Sequence, residues 1–286
     1  MYNKPDRIKS TFSKIHNKSA ALIPYIVAGD PTSSITVDLM HAMVSSGADI
    51  IELGIPFSDP MADGKTIQHA MERAIHNNVH LPQVLEYVRL FREKDYNTPI
   101  VLMGYANSIE RLGQIEFINQ ASYVGVDGVL IVDYSLEEIK PFASALKEKN
   151  IDPIFLLSPT SDEKRIKLIS DIAKGYVYYV SLKGVTGAGN ININEIYNKL
   201  NLIRKYVNIP VGVGFGIKDI ETACNISKIA DAIVIGSKII EEMQNSISTT
   251  MSLDIKNKMS IDAVKNFIKT IKLAMHAQIN SKSSTL

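Results

Sequence analysis

Eight short apolar runs, each followed by a polar or glycine-containing turn and then a longer stretch with helical spacing, limit what this chain can become. The runs cover residues 22–28, 49–53, 99–103, 128–133, 153–157, 176–181, 210–213 and 232–235. Most are apolar at consecutive positions, without the in–out alternation of a sheet wetted on one face. That pattern belongs to parallel strands covered on both sides. Eight strands alternating with helices predict a parallel α/β architecture, and the number eight favours closure into a (β/α)8 TIM barrel over an open doubly wound sheet.

The segments between the runs support helices. Ile35, Leu39, Met40, Met43 and Val44 form one apolar stripe, with Thr32 or Ser33 available as its cap. Ile67, Ala70, Met71, Ala74 and Ile75 form another, while Gly47, Gly125 and Gly175 stand where a left-handed residue can end a helix. No Gly/Ser- or Pro-rich linker interrupts residues 20–245, so residues 1–286 are expected to make one domain. Residues 1–19 read as an N-terminal helical segment. Helical spacing resumes over residues 261–277, and residues 278–286 read as a frayed tail.

Composition removes several classes of function. Thirty-one basic residues against thirty acidic ones leave a formal charge of +1, which argues against a nucleic-acid groove or a polybasic membrane patch. A single cysteine, Cys224, excludes an internal disulfide framework and any multi-thiolate metal site. No apolar run approaches the ~20 residues of a membrane span, and the polar, basic first residues lack the apolar core of a secretory signal. The expectation is a soluble, cytoplasmic enzyme or binding protein.

In a barrel of this kind, reacting groups stand at the C-terminal ends of the strands and in the loops that follow. Glu52 ends the second run. A carboxylate in an apolar strand is costly to bury, and burial raises its pKa toward the range useful for acid/base chemistry; alternatively, it is a strand-end glutamate bonded to backbone amides. The following loop, Gly54-Ile-Pro-Phe-Ser-Asp-Pro-Met-Ala-Asp-Gly64, is stiffened by prolines and offers Asp59 and Asp63. Asp59, before Pro60, reads as a turn former, and Asp63 as the second functional carboxylate.

Three glycine-rich segments fall where a phosphate is often held in such folds. They are Gly212-Val-Gly-Phe-Gly216 after the seventh run, Gly236-Ser237 after the eighth, and Gly184-Val-Thr-Gly-Ala-Gly189 after the sixth, the last long enough to act as a lid. Residues 54–64 and 184–192 are expected to order when a ligand binds. Nucleotide fingerprints fail, because position 59 is Asp where a P-loop needs Gly, and Ile217 stands where a dinucleotide motif needs Gly. The six histidines avoid the strand ends, so a histidine metal centre is not expected. Lys183 leaves room for Schiff-base chemistry on a sugar phosphate, although a solvated loop lysine is the simpler reading.

Read together and in order, Ile23-Pro-Tyr-Ile-Val-Ala-Gly-Asp-Pro31, Glu52-Leu-Gly-Ile-Pro-Phe-Ser-Asp-Pro-Met-Ala-Asp-Gly64 and Gly184-Val-Thr-Gly187 resemble the tryptophan synthase alpha chain family. Met103-Gly-Tyr-Ala-Asn107 and Gly214-Phe-Gly-Ile217 add to the resemblance, which runs from about residue 20 to 242. It implies aldol cleavage of indole-3-glycerol phosphate to indole and glyceraldehyde 3-phosphate. It also implies no cofactor in this chain, and an α2β2 complex with a beta chain that carries pyridoxal phosphate. The family's catalytic carboxylates fall on Glu52 and Asp63. Its substrate contacts fall on Tyr25, Tyr105, Tyr178, Thr186, Gly187, Phe215, Gly216, Gly236 and Ser237. Two positions depart from the family's habit: Val27 stands where threonine is common, and Ser135 where a proline is common, in a region the family turns toward its beta chain. A Schiff-base aldolase and a non-catalytic activating subunit stand as the competing functional readings.

Overall fold

The computed structural model describes residues 5–15, 19–181, 192–214, 217 and 219–283. Eight strands, β1 (Ala21–Val27), β2 (Ile51–Gly54), β3 (Ile100–Gly104), β4 (Gly128–Ile131), β5 (Asp152–Leu157), β6 (Val177–Val180), β7 (Val211–Gly214) and β8 (Ala232–Ile235), close into one barrel in sequence order. Every neighbouring pair is parallel, and β1 joins β8 to complete the ring. The described helices are α1 (Arg7–Ile15), α2 (Thr36–Ser45), α3 (Lys65–His76), α4 (Leu81–Arg92), α5 (Ala106–Leu112), α6 (Gln114–Val124), α7 (Leu136–Glu148), α8 (Glu163–Ile172), α9 (Ile193–Arg204), α10 (Ile220–Ser227), α11 (Ser237–Asn245) and α12 (Leu253–Ser283). This is the (β/α)8 barrel that the eight apolar runs predict.

The consecutive apolar residues of each strand divide between two cores. Leu22, Ile26, Leu53, Leu102, Val129 and Ile233 point outward and pack beneath the helices. Ile23, Val101, Leu130, Ile154, Tyr176 and Val234 point inward and fill the lumen. Because side chains alternate along a strand, both faces must be apolar for the barrel to bury both. Glu52, fully buried on the inner face of β2, is the exception that calls for a chemical reason.

The floor of the barrel is closed by α1. Ile8 is fully buried in the lumenal core, and Phe12 packs on Tyr176 with ring centroids 5.9 Å apart. Carboxylates at this end serve the backbone: Asp49 accepts from the Leu22 amide at 2.7 Å, Asp127 from the Ile100 amide at 2.9 Å, and Asp231 from the Val211 amide at 2.8 Å. Each of the three also pairs with a cation, namely Lys272 with Asp49, Arg7 and Arg92 with Asp127, and Arg204 with Asp231. Acidic residues at the floor therefore pin strands and helices together. Those at the opposite end are differently placed.

Two local expectations need correction. The second helix does not take a side-chain cap from Thr32 or Ser33: a 3-10 turn over Ser33–Ile35 precedes α2, and the Thr32 hydroxyl donates instead to Asn257 Oδ1 on α12 at 2.8 Å. The turn is held from within, because Thr36 Oγ1 accepts the Gly29 amide at 3.0 Å. The last helix begins at Leu253, ahead of the expected 261, and continues to Ser283, inside the range read as a tail. Val264, Ile268, Ile271 and Met275 recur at helical spacing and are buried, with α12 packed across α2, α10 and α11. Gly125 closes α6 in the left-handed conformation, at φ 91° and ψ 31°, as its position after the helix predicts. No described helix is long and apolar enough to cross a membrane.

Candidate active site

Glu52 and Tyr25 are register partners on β2 and β1, so both side chains enter the lumen from the same level. One oxygen of Glu52 is held: the Tyr176 hydroxyl donates to Oε1 at 2.6 Å. The other, Oε2, is buried with no hydrogen-bond partner among the described residues. Burial pushes the Glu52 carboxyl up to about 7, and the Tyr176 hydrogen bond restrains that rise. Of the two readings of Glu52, the acid/base group fits this environment; no described backbone amide hydrogen-bonds its carboxylate.

Asp63 arrives from above. The loop after β2 folds on itself through the Met61 amide to Asp59 O at 2.8 Å and the Asp63 amide to Pro60 O at 3.0 Å. Gln68, on the first turn of α3, donates to Asp63 O at 2.8 Å. The Tyr105 hydroxyl donates to Asp63 Oδ2 at 2.7 Å and accepts the Ala62 amide at 3.2 Å, while Phe57 stacks on the Tyr105 ring at 5.0 Å. Burial raises the pKa of Asp63, with the Tyr105 bond opposing it. Asp59 is exposed and takes a hydrogen bond from Ser58 at 2.5 Å, the arrangement of a turn residue.

A cavity of about 440 Å³ opens beside Asp63, walled by Met103, Val132, Leu156, Tyr178 and Val180, with Ser158, Thr160, Ser161 and Arg165 along one side. Its apolar walls and the acidic group at one edge suit a flat, mostly apolar ligand carrying a hydrogen-bond donor. Among the described residues, no three His, Cys, Asp or Glu side chains cluster as a metal site.

Two lumenal tyrosines lie over lumenal glycines. A Cβ on Gly54 would overlap the Tyr25 hydroxyl, and one on Gly214 would overlap the Tyr178 hydroxyl. Gly212 and Gly214 belong to β7, where Gly214 makes room for a ring; they are not part of a turn following the strand, as the sequence suggested. After β8, Gly236 precedes α11 and Ser237 opens it. Among the described residues no side chain caps α11; the Ile239 amide donates to Gly236 O at 2.9 Å, and the Ser237 and Lys238 amides face the N-terminal end of the helix.

The structure thus brings Glu52, Asp63, Tyr25, Tyr105, Tyr178, Gly236 and Ser237 to one end of the barrel. Thr186, Gly187, Phe215, Gly216, Lys183 and nearly all of residues 184–192 lie outside the described residues. Sequence reasoning overlooked Tyr176 as the partner of Glu52. Its parity with Tyr178 on the sixth run was the available signal, because residues two apart on a strand share a face.

Ser135 caps α7 reciprocally: its hydroxyl accepts the Glu138 amide at 3.2 Å, and its own amide donates to Glu138 Oε2 at 3.1 Å. Proline has no amide hydrogen for the second bond.

Comparison with known proteins agrees with this geometry. The family model of the tryptophan synthase alpha chain matches residues 12–270. A tryptophan synthase alpha chain from Bordetella parapertussis is 55% identical over 272 residues, covering 94% of this chain and 95% of its own length. One from Nitrosomonas europaea is 54% identical over 242 residues, with 84% and 88% covered. The crystal structure of tryptophan synthase subunit alpha from Legionella pneumophila superposes with a TM-score of 0.86 at 38% identity, over 94% of this chain and 98% of that one. A buried acid at the barrel's inner wall, a second acid on the loop above it and a match along nearly the whole sequence lead to one conclusion: the chain belongs to the tryptophan synthase alpha chain family.

Proposed function

We propose that this chain is a carbon–carbon lyase that cleaves indole-3-glycerol phosphate into indole and glyceraldehyde 3-phosphate. The observation that carries the reading is Glu52: a carboxyl raised to about 7, with one oxygen held by Tyr176 and the other unpartnered among the described residues. Such a group is present in both protonation states near neutrality, as a reaction that first needs an acid and then a base requires.

In the first step, protonated Glu52 delivers its proton to the indole ring carbon that bears the side chain. The ring nitrogen becomes positive. Asp63, as carboxylate, accepts the N–H hydrogen bond and offsets that charge. In the second step, Glu52, now a carboxylate, removes the proton from the hydroxyl on the adjacent side-chain carbon. That carbon becomes an aldehyde, the carbon–carbon bond breaks, and its electron pair returns to the ring and neutralises the nitrogen. Glu52 ends protonated, ready for the next cycle. The phosphate binds at the first turn of α11 beside Gly236 and Ser237, with Thr186, Gly187 and Gly216 as further substrate contacts. Its binding energy orients the bond to be broken. Tyr25, Tyr105, Tyr178 and Phe215 offer flat apolar surface to the indole ring.

On this reading the chain needs no cofactor of its own. It works in the cytoplasm in an α2β2 complex, and a pyridoxal-phosphate-bearing beta chain consumes the indole. Membership of this family does not favour the Schiff-base or the non-catalytic reading. The test is indole release from indole-3-glycerol phosphate by the purified chain, with and without a beta chain. Glu52→Gln should lower turnover by about 10²- to 10⁴-fold, and near-normal turnover would remove Glu52 from the chemistry.

A further inference from the structure

The Tyr25 ring spans the space between the two ends of the site. Its inner edge lies against the start of α11, since a Cβ on Gly236 would sit 3.0 Å from Tyr25 Cδ1. Its hydroxyl lies over β2, in the place a Gly54 side chain would take, one lumenal step beyond Glu52. A phosphate held beside Ser237 and a ring carbon protonated by Glu52 must be joined by a short carbon chain, and that chain has to pass Tyr25.

Two buried polar atoms at this level lack partners among the described residues, the Tyr25 hydroxyl and Glu52 Oε2. Tyr25 is only 3% exposed, so water does not easily repair the deficit. Two neighbouring lumenal hydroxyls are engaged, Tyr105 with Asp63 and the Ala62 amide, and Tyr176 with Glu52. A phenylalanine would supply the same flat surface without leaving a polar atom unsatisfied. The hydroxyl therefore needs a ligand to explain it.

One chemical group satisfies both atoms together. An alcohol has lone pairs to accept from the Tyr25 O–H and a proton to give to Glu52 Oε2. We propose that Tyr25 is a specificity-determining residue whose hydroxyl donates to the substrate alcohol next to the bond being broken, directing that alcohol's proton at Glu52. The assignment rests on the lyase reading above and deepens it. Burial and the neighbouring carboxylates of Asp63 and Glu52 hold the Tyr25 phenol well above its ordinary pKa, which keeps it a donor. Tyr25 thus reads the hydroxylation of the chain, while the first turn of α11 reads its phosphate.

The experiment compares two unreactive ligands, indole joined to a phosphate by a bare propyl chain and the same molecule with a hydroxyl on the carbon next to the ring. Calorimetry on the full chain gives the affinity ratio. The wild type should prefer the hydroxylated ligand by roughly tenfold, the worth of one hydrogen bond at a buried site. Tyr25→Phe should cut that preference severalfold, leaving the share due to Glu52, while binding the bare ligand within about twofold of wild type. Tyr25→Leu, which also removes the ring, should weaken both ligands. An unchanged preference in Tyr25→Phe, or equal loss for both ligands in Tyr25→Phe and Tyr25→Leu, overturns the assignment. Turnover of Glu52→Gln reports separately on the lyase reading, so each idea can fail without being mistaken for the other.

Discussion

Tyr176 grips one oxygen of Glu52 at 2.6 Å and leaves the other bare inside a closed barrel. The phenol fixes the rotamer of the acid and opposes the effect of burial on its proton affinity. Removing that donor in Tyr176→Phe should raise the Glu52 pKa further. In a pH profile of kcat/KM, the limb belonging to Glu52 should move to higher pH, and turnover at neutrality should fall by about tenfold. A profile that keeps its limbs in place would make Tyr176 a packing residue.

The raised pKa has a consequence for stability. Between its ordinary value of 4.5 and about 7, folded Glu52 holds a proton that the unfolded chain releases. Stability therefore falls as pH rises through that window, and above pH 7 the full penalty remains, ~3 kcal/mol. Glu52→Gln should gain stability of that order at pH 8 and almost none at pH 4. Urea denaturation at the two pH values checks the sign; equal effects at both would show that the proton is not linked to folding.

Gly54→Ala should be destabilising by ~1–3 kcal/mol, because the new methyl group meets the Tyr25 hydroxyl and ring. The damage should be smaller when Tyr25 is already phenylalanine, because part of the overlap is with the oxygen. Thermal unfolding of the two single variants and the double variant measures this coupling. Strict additivity would place the ring elsewhere.

At the floor, Arg92 donates to Asp127 at 2.6 Å, and both side chains are more than nine-tenths buried. Arg92→Ala should cost ~1.5–3 kcal/mol, because it removes a buried charge-assisted hydrogen bond while Arg7 and the Ile100 amide still hold the carboxylate. At temperatures where the variant stays folded, its kcat should stay within about twofold of wild type. A large loss in kcat with unchanged stability would contradict the division of labour between floor and mouth.

Ser135→Ala breaks half of the cap on α7 and should cost about 1 kcal/mol. An unchanged midpoint in urea would show that Glu138 alone suffices to cap the helix.

Much of this molecule is legible before any coordinates are known, for identifiable reasons. The strands are written in consecutive apolar residues because both faces are buried, so all eight runs land within two residues of the observed strands. Glu52 stands out because charge is so rare in such a run. Harder to read were relations between distant segments. Nothing local to Gly214 separates a phosphate turn from a notch cut for a tyrosine on the adjacent strand; only the register between β6 and β7 decides. The Thr32 hydroxyl was misread for the same reason, since its partner, Asn257, is 225 residues away. Tyr176 was overlooked because a hydroxyl that tunes a carboxylate across the lumen looks, in sequence, like any aromatic core residue.

The seating of Ile8 makes the barrel a thimble and not a pipe. Among the described residues, side chains fill the lumen at this end, so a small molecule released beside Glu52 is directed toward the rim. Whatever body sits on that rim then decides its destination, so control over where the product travels passes from the vessel to its lid.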